Sequence, residues 1–251
     1  MTATNMSLRK AVLDHYLSSS RGIHQPLSQA ESAAYSAAYT RYLAGWLPPD
    51  LNSRWLDLGC GQGHLMDLAH RSLGYREVSG VDLSPEMVAQ ARQRGYEVAE
   101  TDVLSALDGF PANSAGVISC FDIIEHMPKD EGFRLMQLTF AALKPGGIML
   151  LKLPNAYGPM GFGITANDLT HEAAYTESTL LQMGTLAGFF AGEAREVAPL
   201  PHGLKSSVRG LLWKFLRTVL RLFDTVETGT ARSKIYTRVM LVRLQKGVDQ
   251  G

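Results

Sequence analysis

The rhythm of apolar and polar positions changes twice along the chain. Residues 6 to 47 carry helical spacing, and within Ser28 to Trp46 the rings of Tyr35, Tyr39, Tyr42 and Trp46 recur at intervals of four, three and four. Those intervals place all four rings on one helix face, which is expected to serve packing in preference to a substrate platform. Pro48, Pro49 and Asp50 then stop the helix.

From Arg54 to about Leu153, short apolar runs alternate with helical stretches. Strands are expected at Trp55 to Leu58, Glu77 to Val81, Tyr96 to Ala99, Gly116 to Cys120 and Ile148 to Leu153. Helices are expected from His64 to Ser72, from Pro85 to Arg94 with Ser84 as N-cap, and from Asp130 to Leu143. Buried apolar runs separated by helices predict an α/β domain, a mainly parallel sheet with helices on both faces. Further on, Pro154 to Ala166 reads as loop, Thr176 to Gly188 and Lys205 to Phe223 as helices, and Ile235 to Leu244 as a late strand. Without repeats or a low-complexity linker, the simplest partition is a helical cap over residues 1–50 and one domain over 51–251.

Composition narrows the class. The 251 residues are 45% apolar and 19% charged, enough for a buried core and unlike a disordered chain. Twenty-four basic residues balance 24 acidic ones, so no global footprint for nucleic acid exists. Two cysteines, Cys60 and Cys120, are too few for a disulfide scaffold or a multi-thiolate metal site. The first ten residues lack a secretory leader, and no apolar run approaches the roughly 18 residues that span a bilayer. A soluble cytoplasmic protein, monomer or homodimer, is expected.

One segment departs from the neutral balance. Gly203 to Phe223 contains Lys205, Arg209, Lys214, Arg217 and Arg221, no acid, and a broad apolar face. Such a helix covers a sheet or a second subunit with its arginines in water. Alternatively it lies on an anionic membrane, here the inner face, where a lipid-linked saccharide would be found.

The chemistry concentrates at strand ends. Leu56-Asp57-Leu58-Gly59-Cys60-Gly61-Gln62-Gly63 is a strand running into closely spaced glycines, which lets a ligand approach backbone N–H groups. His64 stands where a dinucleotide-binding loop has its third glycine, so the pyrophosphate spacing is not met and a nicotinamide-dependent oxidoreductase is disfavoured. Asp82 closes the second strand nineteen residues after Gly63, where a carboxylate can accept two ribose hydroxyls. Asp102 follows the third strand, where a carboxylate can accept an adenine amino group. Cys60, inside the loop, reads as packing.

Leu56 to Gly63, Val81-Asp82-Leu83-Ser84, Glu100-Thr101-Asp102-Val103 and Leu143-Lys144-Pro145-Gly146-Gly147 resemble the successive motifs of class I S-adenosylmethionine-dependent methyltransferases, over roughly residues 50 to 155. The resemblance implies a Rossmann-like seven-stranded sheet with an antiparallel last strand, helical additions at both ends, and S-adenosylmethionine as cofactor. It implies that Asp57, Gly59, Cys60 and Gly61 lie at the methionine end and that Asp82 holds the ribose. Leu83 and Met87 would flank the adenine, Asp102 and Val103 would meet its amino edge, and Phe121 would cover the sulfonium side.

Phe121 to Pro128, Pro154-Asn155-Ala156, Asp168 to His171, Tyr175-Thr176, Ala187-Gly188-Phe189 and Gly210 to Tyr236 are similar to bacterial methyltransferases of polysaccharide and glycan assembly, and more distantly to ubiquinone O-methyltransferases. That implies O-methylation of a sugar hydroxyl. A quinol-like acceptor and a non-catalytic cofactor-binding protein are the alternatives. A neutral hydroxyl is a poor nucleophile and calls for a base. His171 ranks first and His126 second, each after a strand end on the acceptor side. Glu125, His126, Asp168 and His171 could also ligate a divalent ion, but they lack tight ligand spacing in the sequence, so no metal is expected.

Overall fold

A computed structural model describes residues 27–231 and 233–248. The helical reading of residues 6–26 lies outside the described residues. Helix α1 (Gln29–Tyr42) opens on a capping box. Ser28 Oγ accepts from the Glu31 N–H at 3.3 Å, and the Glu31 carboxylate accepts from the Ser28 N–H at 2.9 Å. The chain then alternates through β1 (Arg54–Leu58), α2 (His64–Asp67), β2 (Val78–Asp82), α3 (Pro85–Gln93), β3 (Glu97–Glu100), α4 (Val103–Asp108), β4 (Ala115–Phe121), α5 (Lys129–Ala142) and β5 (Leu143–Pro154). It ends with α6 (Gly161–Ala166), α7 (Glu177–Leu186), β6 (Ala191–Glu196), α8 (Leu204–Thr228) and β7 (Val239–Gln245).

The seven strands form one sheet in the order β3-β2-β1-β4-β5-β7-β6. All neighbours are parallel except β7, which runs antiparallel to β5 and β6. Strand alternation splits the core between the two faces. Leu56, Leu58, Ile118, Cys120, Met149 and Leu151 point into one cluster with residues of α5 and α7. Trp55, Val117, Ile148 and Leu150 point into the other, with Tyr39, Leu43 and Trp46 from α1 and its end. The chain leaves β1 outward through β2 and β3, then returns to β4 on β1's other side. That reversal opens a crevice at the carboxyl ends of β1 and β4, the usual ligand position in open α/β sheets.

Several elements differ from the sequence expectation. The helix expected to Ser72 is α-helical only to Asp67 and continues as a π-helical turn, Leu68–Ser72. The expected loop Pro154 to Ala166 contains α6, where Gly161 lies so close to the preceding chain that a Cβ would stand 2.3 Å from the Ala156 carbonyl oxygen. The last strand begins at Val239 and not at Ile235. Buried Asn155 donates its side-chain N–H groups to the Ile235 and Thr237 carbonyls, both at 3.0 Å, which takes those groups out of any ladder. The helix expected to end at Phe223 runs to Thr228 and stops at Gly229, φ +80°. The seven strands are those the resemblance implies, but neither α4 nor the position of β6 was located from sequence: α4 is six residues long, and β6, Ala-Gly-Glu-Ala-Arg-Glu, has no apolar alternation.

Candidate active site

Strand β1 delivers Asp57 into the floor of the crevice with 2% exposure. The Trp55 indole N–H donates to Ser119 Oγ at 2.8 Å, and that hydroxyl donates to Asp57 Oδ1 at 2.6 Å. Burial pushes the Asp57 carboxyl up to about 7; the Ser119 bond opposes the rise and the Asp82 charge adds to it.

The loop after β1 turns through Gly59, Gly61 and Gly63, all with left-handed φ of +70°, +51° and +82°. The first two glycines serve different needs. A Cβ on Gly59 would stand 2.2 Å from Ile123 Cδ1, so the position is closed by packing. A Cβ on Gly61 would meet nothing within 4 Å and would project into open space. Cys60 between them is buried against Gly80, and burial pushes its thiol far up, which suits packing and not nucleophilic chemistry.

Asp82 ties this loop to the next. Its Oδ2 accepts from the Gly61 N–H at 2.8 Å and its Oδ1 from the Ser84 N–H at 2.9 Å. A carboxylate oxygen accepts more than one hydrogen bond, so both oxygens can serve a further donor in the crevice. Beyond it, Leu83 is 50% exposed, and Met87 is buried one turn into α3, its N–H donating to Ser84 Oγ. Asp102 lies at the next strand end, but exposed. Its Oδ1 accepts from the N–H groups of Leu104 and Ser105 at 3.1 and 2.9 Å, so it is the N-cap of α4, with Val103 buried behind it. The Ser105 hydroxyl and these N–H groups hold its carboxyl below the usual range.

On the β4 side, Phe121 ends the strand with Tyr39 at 5.7 Å between ring centres. Lys152 Nζ lies 5.8 Å from the Phe121 ring centre and pairs with Asp122, a residue at φ +55°. The aromatic stripe of α1 packs as expected, with Tyr39 and Trp46 in the core and Tyr35 and Tyr42 against it. Tyr42 donates to the Ala198 carbonyl, and Trp46 is buried under the Arg195 guanidinium at 4.2 Å. Tyr39 reaches over Phe121, and Tyr35 stacks 4.4 Å from it. Tyr35 is raised well above the usual tyrosine range by burial, with the charges of Asp57 and Asp122 adding to it. Tyr35 and Tyr39 thus pack next to Phe121 at the end of β4. Ser119, Asp122 and Lys152 were not singled out from sequence. The available signals were a lone serine and a lone lysine within otherwise apolar strands.

Both histidines ranked from sequence come together. His126 ends a 3-10 turn (Ile124–His126) after β4, and its ring centre is 4.8 Å from that of His171. His126 Nδ1 lies 2.7 Å from Thr170 Oγ1, whose proton goes to Asp168 Oδ1 at 2.6 Å, so the imidazole donates from Nδ1. His171 Nδ1 lies 3.0 Å from the Thr165 carbonyl, which only accepts, so it also donates. Each Nε2 therefore carries a lone pair when its ring is neutral. Burial, with His171 alongside, pulls the His126 pKa below the usual histidine value. Glu125 is 3% exposed, and its Oε2 has no hydrogen-bond partner among the described residues. Burial, and the neighbouring Asp122 charge, push its carboxyl up to about 8.

This sheet order, the antiparallel β7 and the glycine crevice at the β1/β4 reversal define the Rossmann-like fold of class I S-adenosylmethionine-dependent methyltransferases. The chain belongs to the methyltransferase domain family, whose model matches residues 29–193. It is 26% identical over 173 residues to a trans-aconitate 2-methyltransferase of Rhodopseudomonas palustris, covering 68% of this chain and 62% of that one. It is 33% identical over 122 residues to a ubiquinone biosynthesis O-methyltransferase of Xanthomonas axonopodis pv. citri, covering 45% and 48%. The chain thus spans less than two thirds of these relatives' length. Among solved structures, a SAM-dependent methyltransferase of Archaeoglobus fulgidus superposes with a TM-score of 0.63 at 18% identity, over 86% of this chain and 94% of that one, a likeness of fold.

The residues fit that fold's cofactor. The space beside Gly61 that a Cβ would fill is free, the Asp82 oxygens face it from the next strand, and buried Asp57 offers an anion for a cationic group.

Proposed function

We propose that the protein transfers a methyl group from S-adenosylmethionine to a hydroxyl of a sugar in a surface polysaccharide or lipid-linked glycan. The observation that carries methyl transfer is the Asp57–Gly61–Asp82 arrangement at the β1/β4 reversal. Asp57, Gly59, Cys60 and Gly61 would line the methionine end, and Asp82 would take the ribose hydroxyls. Leu83 and Met87 would flank the adenine, with Asp102 and Val103 at its edge and Phe121 beside the sulfonium. The cofactor supplies an activated methyl electrophile when bound. The chain's own residues would align the acceptor and exclude water. Anchored through Nδ1, the His126 and His171 rings, when neutral, would offer their Nε2 lone pairs to a hydroxyl proton.

The similarity to ubiquinone biosynthesis O-methyltransferases supports a second acceptor class, a quinol-like hydroxyl. Incubation with labelled S-adenosylmethionine and a panel of glycan and quinol acceptors tests both. Methylated glycan is the expected product. Methylated quinol alone would replace the acceptor, and cofactor binding with no product from any acceptor would leave a binding protein.

Helix α8 favours a glycan carried at a lipid surface. Its Ser206, Gly210, Trp213, Leu220 and Asp224 face the protein, where Asp224 accepts from the Tyr157 and Tyr236 hydroxyls at 2.8 and 2.6 Å. The opposite face presents Leu204, Leu211, Phe215, Leu222 and Val226, between 63% and 83% exposed. By helical spacing Lys205 and Arg209 flank that face on one side and Lys214 and Arg221 on the other, the charge arrangement that suits anionic headgroups around buried apolar side chains. No helix among the described residues is long and apolar enough to cross a membrane. We assign α8 as a peripheral contact with an anionic membrane. Sedimentation with phosphatidylglycerol vesicles at low salt is expected, and Phe215→Glu should abolish it. Binding indifferent to anionic lipid and salt, or a stable dimer that Phe215→Glu dissociates, would overturn the assignment.

A further inference from the structure

The geometry points to a divalent-cation site formed by Glu125, His126 and His171, a role no sequence spacing disclosed. A carboxylate oxygen of Glu125 and one ring nitrogen of each histidine all lie within 4.8 Å of one another. Tetrahedral coordination at about 2.0–2.1 Å puts ligand atoms about 3.3 Å apart, so the set closes around an ion by side-chain rotations of an ångström or so.

Three independent features support a cation. Glu125 keeps a buried oxygen without a partner among the described residues, an arrangement that is costly unless a ligand satisfies it. Both imidazoles are anchored through Nδ1, His126 by Thr170 and His171 by the Thr165 carbonyl, which presents the two Nε2 atoms as ligands. Behind His126, Thr170 donates to Asp168, so a carboxylate stands one hydroxyl away from the ring, in the manner of the outer groups that orient metal-binding histidines. Two imidazoles and one carboxylate suit Zn²⁺, Mn²⁺, Fe²⁺ or Co²⁺ better than Ca²⁺ or Mg²⁺.

This inference rests on the methyl-transfer reading and deepens it by naming how the acceptor is activated. The ion binds the acceptor hydroxyl at an open position and lowers its pKa, so the proton leaves to solvent. The oxygen's electron pair then forms the O–CH3 bond while the S–CH3 bond breaks with its pair remaining on sulfur. With the ion bound the two histidines act as its ligands, which replaces the proton-acceptor role that the ion-free reading gives them. An acceptor with two adjacent oxygens, such as a vicinal diol, chelates such an ion best.

The test is spectroscopic and needs no turnover. Chelator-stripped full-length protein is titrated with Co²⁺, and d–d absorption bands are expected to saturate at about one equivalent. Glu125→Gln and His171→Gln are each expected to weaken Co²⁺ binding by about tenfold or more, at unchanged circular dichroism. No Co²⁺ uptake, or uptake that survives both substitutions, overturns the site. Calorimetry of the same stripped protein with S-adenosylhomocysteine separates the two claims, because its binding does not require the ion. Failure there sinks the methyltransferase reading and leaves the ion titration standing on its own result.

Discussion

Removing the Asp82 carboxylate should weaken cofactor binding without unfolding the protein. In the free protein its oxygens each hold one backbone N–H, from Gly61 at 2.8 Å and Ser84 at 2.9 Å. In the complex they would also accept the two ribose hydroxyls. Hydrogen bonds to a charged group are worth about 1.5–3 kcal/mol, so Asp82→Ala should raise the dissociation constant of S-adenosylhomocysteine by about 10- to 150-fold. The upper end is expected, because the substitution also releases Gly61 and lets the glycine loop relax from the shape that fits the ligand. The freed N–H groups border the open crevice, where water replaces the lost acceptor, so stability should fall by only about 1 kcal/mol. Titration calorimetry of wild type and variant measures the effect. Asp102→Ala is the contrast: its carboxylate is exposed and caps α4, so that change should cost about 1 kcal/mol of stability with a smaller loss of affinity. A folded Asp82→Ala protein with an unaltered dissociation constant would refute the placement of the ribose.

Two further predictions concern the same crevice. Gly59→Ala forces a methyl group into Ile123 and should lower the melting temperature, by overpacking worth about 1–3 kcal/mol plus left-handed strain. Gly61→Ala meets no protein atom, so it should carry only the strain of about 1–2 kcal/mol yet lower cofactor affinity markedly; equal melting losses with intact affinity would disprove the distinction. Burial pushes the Asp57 carboxyl up to about 7. Its folded pKa lies above the unfolded value, so its contribution to stability is complete below about pH 4 and is lost as pH rises through about 7. The cationic methionine end should pull that pKa down, so binding near neutral pH should release protons, read as a buffer-dependent heat. Identical heats in buffers of different ionisation enthalpy, or release that persists in Asp57→Asn, would count against it.

Much of the architecture was written in local patterns. The β1-to-β5 alternation, the glycine loop and the acids at successive strand ends were readable because each depends on residues a few positions apart, where periodicity and turn chemistry act. Strand β6 was not, since its residues are polar and small and β7 alone gives it a place in the sheet. Tyr35 and Tyr39 read as packing residues of one helix face, but their meeting with Phe121 depended on where α1 docked.

The histidine cluster shows the boundary most plainly. Sequence spacing reveals ligands that share a turn or a helix, and by that measure Glu125, His126 and His171 had none in common. The return of the chain past α6 brings His171 onto the turn after β4, and burial there leaves Glu125 Oε2 without a hydrogen-bond partner among the described residues. Composition and periodicity thus determined the layers and the strand-end acids, because short-range sterics and burial of alternating faces are encoded residue by residue. The ring contacts at the end of β4, the state of the strand-end carboxyls and the histidine pair were decided by long-range packing, because proximity and desolvation exist only once distant segments have met.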